Sequence, residues 1–264
     1  MRIRLNKGLG YGFNSVTRIG GAHGEMLMDF DILMMEANKE IGDDDKKERA
    51  FLLLKGEADL EWEGAEKRIK RDSCFDEGPS CLHVSSGVSV RIACVRRDTE
   101  IAVIKTMNER GFPSKLYSPD ECRIEERGKG TLKETSTRIV RTIFDASNAR
   151  DSNLVLGEVV DFPGRWSSYP PHHHPQPEIY FYKFLPEKGF GYSELGEDVF
   201  KMRNNDAILI HENLTHCQVS APGYAMYYIW VIRHLVNNRY VNPTFVPEHT
   251  WVMDRDAVIW PDKK

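Results

Sequence analysis

GRWSSYPPHHHPQPEIYFYKFLPEKGF, residues 164–190, is the stretch on which the reading of this chain turns. It carries three consecutive histidines, His172 to His174, flanked by Pro171 and Pro175, and then the run EIYFYKF from residue 178. In extended backbone successive side chains alternate between two faces, so His172 and His174 share one side and His173 points to the other. Along the next run Glu178, Tyr180, Tyr182 and Phe184 share a face, while Ile179, Phe181 and Lys183 share the opposite one. A carboxylate on an aromatic face is costly where that face is buried and the charge unpaired. A cation gripped by Glu178 and the two imidazoles removes the difficulty. A purification-tag-like run would sit at a chain end, whereas this one is internal and has an acid at a chemically coherent spacing. The stretch is therefore read as a metal site.

Outward from it, a further nitrogen ligand is sought on a later strand, and two residues qualify. His211 ends the apolar run Ala207–Ile210, and His216 follows the next turn and opens HCQVS. Three imidazoles and one carboxylate suit one divalent metal per chain, whether Zn²⁺, Mn²⁺, Fe²⁺, Co²⁺ or Ni²⁺, with positions open for a substrate. The donor set does not choose among these ions. His23, His83, His234 and His249 lack such neighbours and are read as structural or surface residues.

The rest of the chain is strand-like. Short apolar runs rich in Val, Ile, Phe, Tyr and Trp recur between Gly, Pro, Asp and Asn. In the first half they include Met26–Met35, Ala50–Lys55, Ala58–Trp62, Cys81–Val84, Val88–Val95 and Ile101–Lys105. In the second they include Arg138–Phe144, Leu154–Phe162, Glu178–Phe184, Ala207–Ile210 and Tyr224–Leu235. This pattern predicts an all-β sandwich or barrel and argues against a doubly wound fold. From Met107 to Thr137 the composition turns charged and glycine-rich, and ERGKGTLKET reads as exposed connection. The expected division is residues 1–110, a connection over 111–137, and residues 138–264. Seven of the nine histidines lie in the last part, which places the site there.

Composition narrows the function. The 264 residues carry a net charge of −4, so no basic excess exists to neutralise phosphates, and nucleic acid is not expected as a partner. The N-terminal residues lack an apolar leader core, and no run approaches the roughly 18 apolar residues of a membrane span. The five cysteines form no Cys-x-x-Cys pair and read as reduced thiols. Together these predict a cytoplasmic protein with no membrane partner. Sheet edges invite pairing, so a homo-oligomer is expected.

With these residues in view, the second half resembles a cupin: Gly164, His172, His174, Glu178 and His216 match the glycine, His-x-His, glutamate and later histidine of that signature. The resemblance thus selects His216 over His211. More narrowly, WSSYPPHHH, EIYFYKF with GF at 189–190, HCQVSAPGYAMYYIWV and PEHTW resemble the 5-deoxy-glucuronate isomerase family of inositol catabolism. That family is grouped with the 5-dehydro-4-deoxy-glucuronate isomerases of pectin breakdown. The stretches RAFLLLKGEADLEW and PSCLHVSSGVSVRIACV resemble the layout of a degenerate first cupin without ligands. The resemblance implies two jelly-roll barrels, the N-terminal one degenerate. Two features depart from the family pattern: PQP between His174 and Glu178 is short, and His173 stands where a lysine is usual.

What the resemblance implies is a metal-dependent aldose–ketose isomerase acting on a small sugar acid. The reaction would convert 5-deoxy-glucuronate to 5-dehydro-2-deoxy-gluconate, with a proton moving from C2 to C1. The metal would act as a Lewis acid on the charge that develops at oxygen, and a base would shuttle the carbon-bound proton. Tyr180 and Tyr182 share the face of Glu178 and are candidate hydrogen-bond donors or proton carriers. Arg165 and Arg233 are candidates to bind the substrate carboxylate, since arginine grips carboxylates bidentately. Alternatives are the pectin-pathway isomerase, a cupin dioxygenase using Fe²⁺, and a non-catalytic sugar-binding cupin.

Overall fold

The structure, a computed structural model, describes residues 1–5, 8–254 and 256–262. Among them strands dominate, with four short 3₁₀ segments and no α-helix, as the strand-length apolar runs predict. Among the described residues no helix is long and apolar enough to cross a membrane. The strands form sheets of nine, seven and five. All nine strands of the largest sheet come from residues 12–117. The other two sheets come from residues 123–245, with one addition: Arg2–Arg4 pairs antiparallel with Asp206–Ile210. The start of the chain thus covers an edge of the seven-stranded sheet that would otherwise offer unpaired backbone groups.

In the first half one strand, Glu48–Trp62, does double duty. Its early residues pair with Cys81–Val84 and Thr99–Thr106, and its later ones with Ala65–Arg71 and Val90–Cys94. The apolar runs Ala50–Lys55 and Ala58–Trp62 are the two arms of this strand, bent at Gly56. Gly56 has φ +119°, and a Cβ there would lie 2.2 Å from Thr99 Oγ1, so only glycine fits the bend. The stretch expected as free connection also differs. Lys115–Tyr117 pairs with Cys81–Val84, and Arg123–Arg127 pairs with Arg138–Phe144. These are edge strands, and RIEER is buried at none of its positions, so composition gives no apolar signal for it.

The seven-stranded sheet explains why EIYFYKF is apolar on both faces. Tyr180, Tyr182, Phe184, Ile208, Ile210 and Tyr228 pack together on one side, in the interior of the second half. Ile179, Phe181, Leu209 and Ile229 face the other way and pack against Phe30, Ile32, Leu52 and Ile104 of the first half. Phe30 and Phe181 meet with ring centroids 5.9 Å apart. A strand buried on both faces loses the polar alternation of a surface strand. Each fully buried Phe, Ile or Leu here contributes about 1.5–3 kcal/mol by leaving water.

Two buried carboxylates tie the halves together. Glu48 accepts hydrogen bonds from His83 Nε2 (2.8 Å), Ser152 Oγ (2.5 Å), Asn108 Nδ2 (2.7 Å) and the Asn153 N–H (2.8 Å). Burial opposes its ionisation, but these bonds, that from His83 first, hold its carboxyl below the usual range. His83, which also stacks on Phe144 at 4.2 Å, is thus structural. Glu158 accepts from Arg71 Nη2 (2.6 Å), Arg141 Nη1 (2.8 Å) and the Tyr227 hydroxyl (2.7 Å), and it is fully buried. Arg71 comes from the first half and the others from the second. Replacing Glu158 by alanine leaves two buried guanidinium groups without their shared acid. Glu158→Ala is therefore expected to lower unfolding stability by about 3–5 kcal/mol. Urea unfolding checks this, and an unchanged midpoint and slope would contradict it.

Candidate metal centre

The strand Trp166–His173 belongs to the five-stranded sheet and pairs with His216–Ser220. The turn before it is set by Pro163 and Gly164: Arg165 N–H donates to Phe162 O at 3.0 Å, and Gly164 has φ +73°. Ser167 lies opposite Gln218, yet His172 lies opposite His216, so five steps on one strand answer two on the other. The surplus bulges out over Ser168–Pro171, a device that re-aims side chains. On its other edge His172 pairs with Phe245. His174 stands just beyond the strand, in the short turn that leads to Glu178, the first residue of Glu178–Leu185. The PQP segment thus carries the chain directly from one sheet to the other.

These turns bring three of the four predicted ligands together and set the ring of the fourth, His172, beside them. His174 Nε2 is 3.1 Å and His216 Nε2 is 3.3 Å from the same oxygen, Glu178 Oε2. The ligand atoms of His174, Glu178 and His216 lie within 4.8 Å of one another, and all three side chains are buried. The His172 ring lies 4.5 Å from that of His216, centroid to centroid, and faces a cavity of about 980 Å³. His173 turns away, as alternation predicts, and meets Asn213 Oδ1 through Nδ1 at 2.8 Å. His211 lies outside the cluster, 3.6 Å from Glu212.

Each of the three clustered imidazoles is held by the same device. His172 Nδ1 donates to Pro170 O (3.2 Å), His174 Nδ1 to Gln176 O (3.0 Å) and His216 Nδ1 to Leu214 O (3.1 Å). A proton committed to Nδ1 leaves the Nε2 lone pair as the free donor on every ring. Burial first, then the neighbouring His216, holds the His172 imidazole down at about 3, so it is neutral at pH 7. Burial works against ionisation of Glu178, and it is N–H donation and positive charge from His174 and His216 that hold its carboxyl down at about 2; with Nε2 unprotonated, a cation has to supply that charge.

Lone pairs aimed at an ionised carboxylate repel unless a positive charge lies among them. His216 Nε2 is buried and has no hydrogen-bond partner. Bonds of roughly 2.0–2.2 Å to one ion separate neighbouring ligand atoms by roughly 3.0–3.5 Å, which matches the 3.1 and 3.3 Å contacts. The residues therefore fit a divalent cation.

The remaining predicted site residues divide. Tyr180 lines the cavity with its hydroxyl 3.4 Å from Ser168 Oγ, and its ring is 5.9 Å from that of His216. Burial, then the charge of Glu178, pushes its phenol well above the usual range, so it stays protonated. Tyr182 is fully buried in the core, donates to Gln218 Oε1 and does not line the cavity. Arg165 and Arg233 also lie outside the lining. Arg233 is spent on the joint between the halves, donating to Thr106 Oγ1 (2.9 Å) and Met107 O (3.2 Å). Lys183, on the face away from Glu178, pairs with Glu100.

Three cavity residues escape a reading of the sequence alone. Tyr240 sets its ring 4.9 Å from that of His174, and its backbone N–H donates to His234 Nδ1 at 3.0 Å. Tyr228 donates to or accepts from Ser167 Oγ at 2.6 Å. Arg138 lines the cavity from the strand Arg138–Phe144, on the face shared by Val140 and Thr142. A charge on an otherwise inward-facing row, the signal that singles out Glu178, was present at Arg138 too.

Comparison with known proteins follows the same line. The profile described as the KduI/IolB family matches residues 10–252. A 5-deoxy-glucuronate isomerase of Geobacillus thermodenitrificans is 29% identical over 230 residues, 79% of each chain. That of Geobacillus kaustophilus is 28% identical over 247 residues, 85% of each. An IolB-like protein of Salmonella typhimurium LT2 superposes with a TM-score of 0.84, covering 94% of this chain and 97% of that one at 23% identity. A cupin 2 conserved barrel domain protein of Leptotrichia buccalis superposes with a TM-score of 0.55 at 12% identity, covering 88% and 96%. These structures share the fold, which is cupin-like.

Removing one nitrogen from the cluster is expected to cut the bound divalent metal of purified protein about tenfold or more in His174→Ala. His211→Ala should retain the wild-type amount. Elemental analysis beside a circular dichroism spectrum checks both, and full metal content in His174→Ala would remove that residue from the ligand set.

Proposed function

We infer the activity of this chain from its family: it belongs to the KduI/IolB family. It is a sugar-acid isomerase. We propose that it is metal-dependent and interconverts 5-deoxy-glucuronate and 5-dehydro-2-deoxy-gluconate, the aldose and ketose forms of one deoxy sugar acid. The substrate is taken from the curated relatives, which are named for it. The observation that carries the reading is the convergence of His174, His216 and Glu178, with the His172 ring beside that of His216, next to a large cavity.

A divalent ion at this point supplies Lewis acidity where negative charge develops on the sugar oxygens. The chain's own residues do the rest. The carbonyls of Pro170, Gln176 and Leu214 fix the imidazole tautomers before substrate arrives. Glu178 stays ionised and is engaged by His174 and His216, so it is not the proton carrier. Tyr180 keeps its proton and presents it to the cavity, where it can hydrogen-bond a sugar oxygen as charge grows there. Val155, Val159, Trp230 and Ile232 form an apolar wall that limits water around the reacting carbons.

Metal-loaded protein is expected to interconvert the two forms of 5-deoxy-glucuronate faster than it turns over 5-dehydro-4-deoxy-glucuronate. Chelation should abolish the activity and added metal restore it. Absence of interconversion with the loaded protein would reject the reading, and oxygen uptake would point to an oxygenase instead. Tyr180→Phe should lower kcat by about 10- to 100-fold with metal content intact, whereas Tyr182→Phe should act mainly on stability. Steady-state kinetics with elemental analysis separates the two.

A further inference from the structure

Arg138 stands apart from the other cations of the cavity. It is 9% exposed, and its Nη1 donates to Ser136 O (2.7 Å) and Ser136 Oγ (2.8 Å). Among the described residues it makes no ion pair. At the cavity rim Arg123 pairs with Asp145 (2.9 Å), Arg127 with Glu125 (3.0 Å) and Lys133 with Asp262 (2.5 Å). Those three are exposed and matched by acids; Arg138 is buried and unmatched.

The acid nearest in register does not neutralise it. Asp161 lies directly opposite Arg138 on the neighbouring strand, yet both its carboxyl oxygens are buried without a hydrogen-bond partner. It makes no ion pair with Arg138, and burial pushes its carboxyl above the usual range against the pull of that guanidinium. A buried guanidinium without a counter-charge is costly unless a ligand supplies one. Its fork of donors fits a carboxylate in two parallel bonds.

Position points the same way. Across the sheet the order runs from the strand of Arg138 to Leu154–Asp161, then Ala225–Arg233 with Tyr228, then Glu178–Leu185 with Tyr180. Tyr228 lines the cavity from a strand between those of Arg138 and Glu178, and Tyr180, which lines it from the strand of Glu178, is the phenol beside His216. One cavity is therefore lined by Glu178 of the cluster on one strand of this sheet and by Arg138, without an ion pair, three strands away. A uronate carries its carbonyl and its carboxylate at opposite ends of a six-carbon chain. We propose that Arg138 binds the substrate's carboxylate, so that the far end of the sugar is directed at the histidines, and that it makes the site select a sugar acid over a neutral sugar. This rests on the reading of the cavity as a sugar-acid site.

The test compares 5-deoxy-glucuronate with 5-deoxy-glucose, its counterpart with a hydroxymethyl group in place of the carboxyl. Wild-type protein should prefer the acid by about 10- to 100-fold in kcat/KM, carried mainly by KM. Arg138→Met should erase that preference while keeping the wild-type metal content. Arg138→Lys, which keeps the charge without the fork, should retain part of it. Equal handling of the two sugars by wild type, or an undiminished preference in Arg138→Met, overturns the assignment. Should Arg138→Met not fold, the wild-type comparison and Arg138→Lys still decide. Calorimetric binding of D-glucuronate against D-glucose to the metal-loaded protein separates this inference from the isomerase reading. Arg138-dependent binding of D-glucuronate without turnover of either deoxy sugar would end the isomerase reading and keep the anchor. Turnover with no dependence on Arg138 would do the reverse.

Discussion

Glu178 Oε2 faces two imidazole nitrogens at 3.1 and 3.3 Å in a place from which water is largely excluded. In bulk water this would be unremarkable, because solvent would screen the contact. In a buried site the repulsion between lone pairs and a carboxylate is felt strongly, and either protons or a cation must settle it. The tethers from Nδ1 to three backbone carbonyls weigh against protons as the permanent answer, since they commit one proton to the outer nitrogen of each ring. A second proton would make each imidazole cationic, and burial already drives His172 towards neutrality. The arrangement is built to hold positive charge at its centre that the protein itself does not supply.

Such a cluster needs a rigid frame, because misplacing one ring by an ångström would lose the convergence. The frame is the strand Glu178–Leu185, held on both faces. Its outward side chains Ile179 and Phe181 are locked against the first half, and its inward ones form the cavity floor and the core below it. The first half thus acts on the site through packing, and the buried Glu158 shared by Arg71 and Arg141 keeps the two halves in register. In energetic terms this anchorage is dispersed over many apolar contacts and concentrated in two carboxylates. That makes the polar joints the sensitive points for any change in the relation between cluster and frame.

How much of this could be read from the sequence follows from the range of each interaction. His172, His174 and Glu178 are close in the chain, and the two-residue period of extended backbone was enough to group them. His216 and His211 could not be separated by spacing, because the choice depends on which residue pairs with His172 across the five-stranded sheet. The bulge at Ser168–Pro171 sets that register, and nothing local in the sequence announces it. Proximity in the chain misled in the opposite direction for arginine. Arg165 is near the motif in sequence but outside the cavity lining, while Arg138, 34 positions before His172, lines it. Charged edge strands such as Arg123–Arg127 were invisible for a related reason: they are held by backbone pairing and carry no buried apolar face.

The interior of the second half therefore contains two unmet electrostatic demands of opposite sign. At one end Glu178 and the imidazoles around it call for a cation; at the other Arg138 calls for an anion, with no ion pair to Asp161 beside it. The two demands do not cancel each other, since Glu178 and Arg138 stand on strands separated by two others in the same sheet and, among the described residues, form no ion pair. Neither guest alone satisfies both. A neutral sugar would leave Arg138 buried without a partner, and an anion without a metal would face the lone pairs of the cluster. A metal ion together with a molecule carrying a carboxylate at the end remote from its reacting oxygens satisfies both demands at once. Selection for an acid sugar is then a property of the interior's charge pattern, set by Arg138 and Glu178 before any contact with the sugar hydroxyls is considered.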